Sequence, residues 1–167
     1  VRIPESVVSI GSGVFCRCSS LRRGSIPSGI PAIERDTFLL CKAMERVDLP
    51  DSITKIGENA FSGCISLQEV VVPNAVVLIE DNAFYNCESL KKVRFPENLS
   101  QIWAYAFCCC RALARIKLPD SLEYIGTGAF LGCQKITEVI LPENVKYIGQ
   151  SSFANCDAPV SYTHLRA

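Results

Sequence analysis

Apolar positions recur every twenty-three residues along the chain. Isoleucine stands at Ile10, Ile33, Ile56, Ile79, Ile102, Ile125 and Ile148, and phenylalanine at Phe15, Phe38, Phe61, Phe84, Phe107, Phe130 and Phe153. Cysteine keeps the same beat at Cys18, Cys41, Cys64, Cys87, Cys110, Cys133 and Cys156, as does proline at Pro4, Pro27, Pro50, Pro73, Pro96, Pro119 and Pro142. Four registers locked together through seven copies, with no insertion, mark a solenoid. In such a fold each unit buries its apolar face against its neighbours.

One copy predicts its own elements. Leu67, Val70 and Val72 precede Pro73, and Val70 and Val72 alternate with the period of a strand. Proline has no N–H for a ladder and ends that strand. The phrase returns as Leu90, Val93 and Phe95 before Pro96, then as Leu113, Ile116 and Leu118 before Pro119. Two residues after each proline the side chain is small or polar, as at Ser52, Ala75 and Ser121, which suits a turn. Ile56, Ala60 and Cys64 then lie four apart, the spacing of one helical face. Asp36, Asn59 and Asn82 are suited to start that helix. Gly63, Asn86, Gly132 and Asn155 are suited to end it in a left-handed conformation. Arg17, Leu40 and Cys109 fill the same slot without being glycine or asparagine. Each copy is thus expected to run strand, turn, short helix, turn, and Gly24 is expected to weaken the first strand.

The run Leu67-x-x-Val70-x-Val72-x-x-Ala75 resembles the leucine-rich-repeat phrase, with Asn98 and Asn144 at the position of its asparagine. The extended phrase, Ile-Pro-x-x-Val-x-x-Ile-Gly-x-x-Ala-Phe-x-x-Cys-x-x-Leu, resembles the BspA-like subclass. The resemblance implies a right-handed leucine-rich-repeat solenoid of the α/β repeat class. Its parallel β-sheet would be concave, and short helices or 3₁₀ turns would lie on the convex side. It further implies a non-catalytic, protein-binding module of a secreted or surface-attached, adhesin-like protein. The solenoid is expected over residues 1–156, as seven coils of a longer array. The non-repeat tail 157–167 resembles a translated sequencing adapter and is expected to lie outside the fold.

Composition narrows the rest. Seventeen basic and seventeen acidic side chains cancel, so no global charge draws the chain to nucleic acid or to an anionic membrane. No apolar run is long enough to span a bilayer, and no membrane insertion of this stretch is expected. Ten cysteines suggest disulfides, but seven share one repeat position among apolar neighbours. Copies of one position point the same way, so reduced, buried thiols are expected. Metal binding is not expected: Cys16-x-Cys18 is too tight and Cys108, Cys109 and Cys110 are contiguous. The sole histidine, His164, lies in the tail, and no glycine-rich phosphate loop occurs. No catalytic residue and no cofactor are therefore assigned.

Two clusters remain as candidate contact sites. Lys91, Lys92, Arg94, Arg115 and Lys117 come from two adjacent strands and offer a positive groove to a protein partner. The acids that follow the prolines (Glu5, Asp51, Glu97, Asp120 and Glu143) are the groups expected to neutralise that groove if it is neutralised. No aromatic platform interleaves with these bases, which disfavours nucleic acid. Trp103 and Tyr105 form a second, aromatic candidate patch. The sequence also admits a spacer array that binds nothing, or a cytoplasmic scaffold.

Overall fold

The computed structural model describes residues 2–157. Ten short strands appear: β1 (Arg23–Ser25), β2 (Ala32–Ile33), β3 (Arg46–Asp48), β4 (Lys55–Ile56), β5 (Glu69–Val71), β6 (Leu78–Ile79), β7 (Lys92–Arg94), β8 (Gln101–Ile102), β9 (Tyr124–Ile125) and β10 (Tyr147–Ile148). They form two parallel sheets. The first has the order β1-β3-β5-β7 and the second β10-β9-β8-β6-β4-β2. Partners are residues one period apart, such as Val70 with Val93 and Ile102 with Ile125. The chain is a parallel β-solenoid that advances one coil per repeat.

The recurring residues are its axis. The phenylalanine rings from Phe15 to Phe153 stack at centroid separations of 5.1–5.4 Å, with neighbouring planes within 12°. Beside them the cysteines form a second column. The thiol of Cys64 donates to the Phe38 carbonyl at 3.2 Å, that of Cys87 to Phe61 at 3.3 Å, and that of Cys133 to Phe107 at 3.1 Å. All ten cysteines are free thiols. The repeat position therefore wants a group that fills a small apolar space and also caps a carbonyl of the preceding coil.

Every recurring proline opens a turn. Its carbonyl accepts the N–H three residues on, from Val7, Ile30, Ile53, Val76, Leu99, Leu122 and Val145 in succession. Ser52 and Ser121 inside these turns donate to Ile30 and Leu99 of the preceding coil at 2.7 Å. Asn144 does likewise to Asp120. Gly24 does not prevent β1 from pairing with β3.

The expected helices and 3₁₀ turns on the far side are absent from the described residues; consecutive turns take their place. The reason is a division of donors. Around the third coil the N–H groups of Ala60, Ser62 and Cys64 bond three residues back, to Gly57, Asn59 and Phe61. Those of Asn59, Phe61 and Gly63 bond forward to Asp81, Ala83 and Tyr85 of the next coil. A helix needs every N–H for its own turn; here alternate ones stitch coil to coil. Left-handed residues every fourth position enforce this. Gly63, Asn86, Gly132 and Asn155 have positive φ as expected, and so do Arg17, Leu40 and Cys109. Asp36, Asn59 and Asn82 also have φ of 54–58°, so they are left-handed corners and not helix starters. Ile56, Ala60 and Cys64 share the core through this zigzag.

Close coil contact also fixes residue choice. A Cβ on Gly126 would lie 2.6 Å from the Trp103 carbonyl carbon and the Ala104 nitrogen, so only glycine lets those backbones meet.

Candidate functional site

The two sheets do not have the same extent. The second runs through six strands to Tyr147–Ile148, whereas the first stops at β7. The segment 115–117 is expected to be the next strand of the first sheet. It is not one: no backbone hydrogen bond joins 92–95 to 114–118, or 114–118 to 137–141. The segment is nevertheless held in place. Leu113, Ile116 and Leu118 are buried, the Leu113 N–H bonds to Cys110, and the turn at Pro119 closes behind it.

Between β7 and this segment lies a cleft of about 710 Å³. Val93, Phe95 and Ile116 supply apolar surface, and Lys91, Lys92, Arg94, Arg115 and Lys117 surround it. The structure thus brings all five basic residues singled out from the sequence to one opening. Two local features accompany the missing ladder. One period apart, Lys92 would stand opposite Arg115 and Arg94 opposite Lys117, and like charges directly across a ladder are destabilising. The preceding step has the opposite sign, with Glu69 paired to Lys92. Arg23 does pair with Arg46, but there the guanidinium of Arg46 is tied to Asp48 at 2.8 Å. The second feature is Phe95, where the other described coils carry Ile, Leu or Val. Its ring meets Phe107 edge-on at 5.5 Å and 88°, below the place where the next strand would close.

The charges are only partly balanced. Glu69 lies 3.6 Å from Lys92 and 3.2 Å from Arg94. Among the described residues Lys91, Arg115 and Lys117 have no acidic partner, and Glu138, one period after Arg115, makes no ion pair with it. Among the described residues the acids after the prolines take no part: Glu5, Asp51, Glu97, Asp120 and Glu143 form no ion pair there. Neutralisation comes instead from acids on the strands, Asp48 and Glu69, and from Glu45 beside Arg22 at 3.9 Å. A neighbouring hollow of about 610 Å³ carries Arg23, Glu45, Arg46, Asp48, Glu69 and Arg94, so both signs alternate there.

Trp103 and Tyr105 do not meet in one site. The Trp103 indole N–H donates to Gln101 Oε1 at 2.8 Å, and the ring lines a cavity of about 370 Å³ with Asp81, Gln101, Ala104 and Tyr124. Tyr105, left-handed at φ 55°, lies over Gly128, where a Cβ would come within 2.5 Å of its ring. Tyr124 and Tyr147 stack at 4.8 Å.

The thiols are set by burial. It pushes Cys41 from 9.0 up to about 11 and Cys108 up to about 12, and it raises Cys64, Cys87, Cys110 and Cys133 as well. Such thiols stay protonated and are poor nucleophiles or metal ligands. No group of three or more His, Cys, Asp or Glu is placed to hold a metal among the described residues. No helix there is long and apolar enough to cross a membrane. The tail assigned to 157–167, with His164, lies outside the described residues beyond Asp157.

Sequence reading missed Val93, Phe95 and Ile116 as cleft surface and Glu69 as the pairing acid. The signal was present in the register: acid over base at 69 and 92, base over base at 92 and 115.

Comparison with known proteins agrees with this architecture. No curated protein matches the chain. Among solved structures, a leucine rich repeat protein of T. pallidum is 32% identical with a TM-score of 0.63, over 81% of this chain and 55% of that one. A leucine-rich repeat protein of Bacteroides ovatus is 31% identical with a TM-score of 0.65, over 96% of this chain and 54% of that one. A leucine rich cell surface protein of Faecalibacterium prausnitzii, 22% identical with a TM-score of 0.51, covers 93% of this chain and 63% of its own, and shares the fold. The chain thus spans about half the length of the first two. The family model for the BspA type leucine rich repeat region matches residues 1–81 and 55–163, in six copies. With the period, the paired parallel strands and this match in agreement, the chain belongs to the BspA-type leucine-rich repeat family.

Proposed function

We propose that this chain is a non-catalytic protein-binding module, part of a secreted or surface adhesin-like protein. It engages its partner through the face of the first sheet, taken as the concave side of a right-handed solenoid. The observation that supports this most is the basic cleft. Lys91, Lys92, Arg94, Arg115 and Lys117 converge on apolar surface, and three of them lack an ion-pair partner among the described residues. A cleft that combines an apolar lining with unneutralised charge of one sign suits a partner of the opposite sign. Family membership adds weight, since repeats of this kind usually mediate protein interactions, and one structural relative is a cell surface protein. The aromatic pair Trp103 and Tyr105 is a secondary contact at most, because the two rings serve different neighbours.

The test is a panel of purified extracellular proteins offered to the immobilised chain and to a variant with Lys91, Arg115 and Lys117 each changed to Glu. Binding of at least one acidic panel member that the variant loses supports the reading. Binding that survives the reversal, or no binding across the panel, refutes the cleft as the contact surface.

A further inference from the structure

We propose that Trp103, Tyr124 and Asp81 form a binding site for a quaternary ammonium group, on the second sheet and apart from the basic cleft. The two sites share no residue, and this one does not rest on the protein-binding reading.

Three observations converge. The first is an uncovered aromatic face. The outward column of the second sheet runs Leu78, Gln101, Tyr124, Tyr147. Tyr147 stacks on one face of Tyr124 at 4.8 Å, with the planes within 9°. On the other side stands Gln101, which carries no ring, so the stack stops there. Tyr124 then borders a cavity of about 370 Å³ on the surface of the coils, and no coil has to part for a ligand to lie in it. Gln101 Oε1 accepts the Trp103 indole N–H at 2.8 Å, which ties the amide to Trp103, and the indole lines the same cavity. The second observation is charge. Asp81 is the only acidic side chain in the lining, and no basic one joins it. Its Oδ1 accepts the Ala104 N–H at 2.8 Å. Among the described residues its Oδ2 has no partner and Asp81 makes no ion pair. The carboxylate is thus positioned without being neutralised. The third is the state of the donors. The indole N–H and the Ala104 N–H are both committed, so the cavity offers ring surface and a carboxylate oxygen. That combination repels anions. It suits a cation that donates no hydrogen bond and is held by aromatic faces within about 6 Å and by a nearby opposite charge. The cavity is within the size range of small-ligand sites.

Trp103 is the sole tryptophan, so its fluorescence and indole N–H signal report on this site alone. Tetramethylammonium chloride is titrated into the whole chain. The controls are sodium chloride at equal ionic strength and tert-butanol, an uncharged molecule of similar shape. The expected result is a saturable change with tetramethylammonium and none with either control. Asp81→Asn keeps an oxygen for the Ala104 N–H and removes the charge, and affinity should fall at least about tenfold. Tyr124→Leu, which places the residue found at Leu78, should weaken binding as well. A peptide bearing trimethyllysine that binds more tightly than tetramethylammonium assigns the group to a partner chain; the reverse order assigns it to a small molecule, and the site stands in both cases. An equal response to tert-butanol overturns cation recognition. Unchanged affinity in Asp81→Asn overturns the site, as does the lack of any saturable response to tetramethylammonium.

Discussion

The second sheet and the first are built from the same repeat, yet one continues where the other stops. The second keeps its ladder from Ala32–Ile33 to Tyr147–Ile148. It continues into the coil-to-coil stitching of the turns and runs beside the phenylalanine stack and the thiol column. The first depends on three-residue strands whose outward side chains face one another across coils. The ladder forms where Glu69 meets Lys92 and also where Arg23 meets Arg46. It is missing where Lys92 meets Arg115, over Phe95, and equally where Arg115 meets Glu138. The inward residues thus hold the coil count, and the sign of the outward charges does not by itself decide whether the face is closed. Function can be written on the outward positions without endangering the stack.

Cutting the stack is the strongest way to break the comparison. Phe84→Ala removes a fully buried ring held between Phe61 and Phe107. Its expected cost is about 3–5 kcal/mol in chemical denaturation, with both sheets affected. A loss below about 1 kcal/mol would mean that the rings are not the common support of the two sheets.

Alkali probes the thiol column next. Burial raises the thiol pKa values, so the folded chain holds its protons more tightly than the unfolded one. This contribution is complete below the ordinary value of 9.0. For Cys41 it is lost as pH rises through about 11. Urea midpoints are expected to fall steadily from about pH 9 upward, and to fall less steeply when Cys64, Cys87, Cys110 and Cys133 are replaced by Ala. An equal slope in that variant would remove the thiols as the cause.

The first sheet can be closed on purpose. Phe95→Leu restores the residue found at Leu49 and Leu118, and a change of this kind costs less than about 1.5 kcal/mol. Combined with Arg115→Glu and Lys117→Glu, it places acids opposite Lys92 and Arg94. Amides 115–117 are expected to become as protected as those of 69–71. Unchanged exchange would show that neither the ring nor the like charges hold the gap open.

The smallest effect is expected at Glu69. Its pairs with Lys92 and Arg94 are exposed, so Glu69→Gln alters stability by less than about 1 kcal/mol. It leaves all five bases of the cleft without an acidic partner among the described residues, and binding of an acidic panel protein should tighten.

Much of this fold was legible in the sequence. Registers of Ile, Phe, Cys and Pro name the core and the turns because they are the positions every coil must share. The left-handed corners at Gly63 and Asn86 were legible for the same reason. The corners at Asn59 and Asn82 were not, because asparagine suits a helix start and a left-handed turn alike, and only the forward hydrogen bonds decide between them. The second sheet escaped because two residues, such as Lys55–Ile56, are too few to show alternation. The candidate bases were found as a cluster. The gap between them was not, because Leu113, Ile116 and Leu118 repeat the apolar phrase of coils that do close. Lys92, Arg115 and Lys117 lie outside that phrase, and Phe95 fills one of its apolar positions like any other member.

The central claim is that the first sheet ends at Arg94 while the solenoid continues. Hydrogen exchange of the free chain, compared between residues 69–71 and 115–117, tests it most directly. Both segments sit at the same place in the repeat and bury the same kind of side chain. The account predicts slow exchange at 69–71 and exchange at least about a hundredfold faster at 115–117, while Tyr124–Ile125 in the second sheet stays slow. Equal protection at 69–71 and 115–117 would mean a continuous first sheet and would contradict the account.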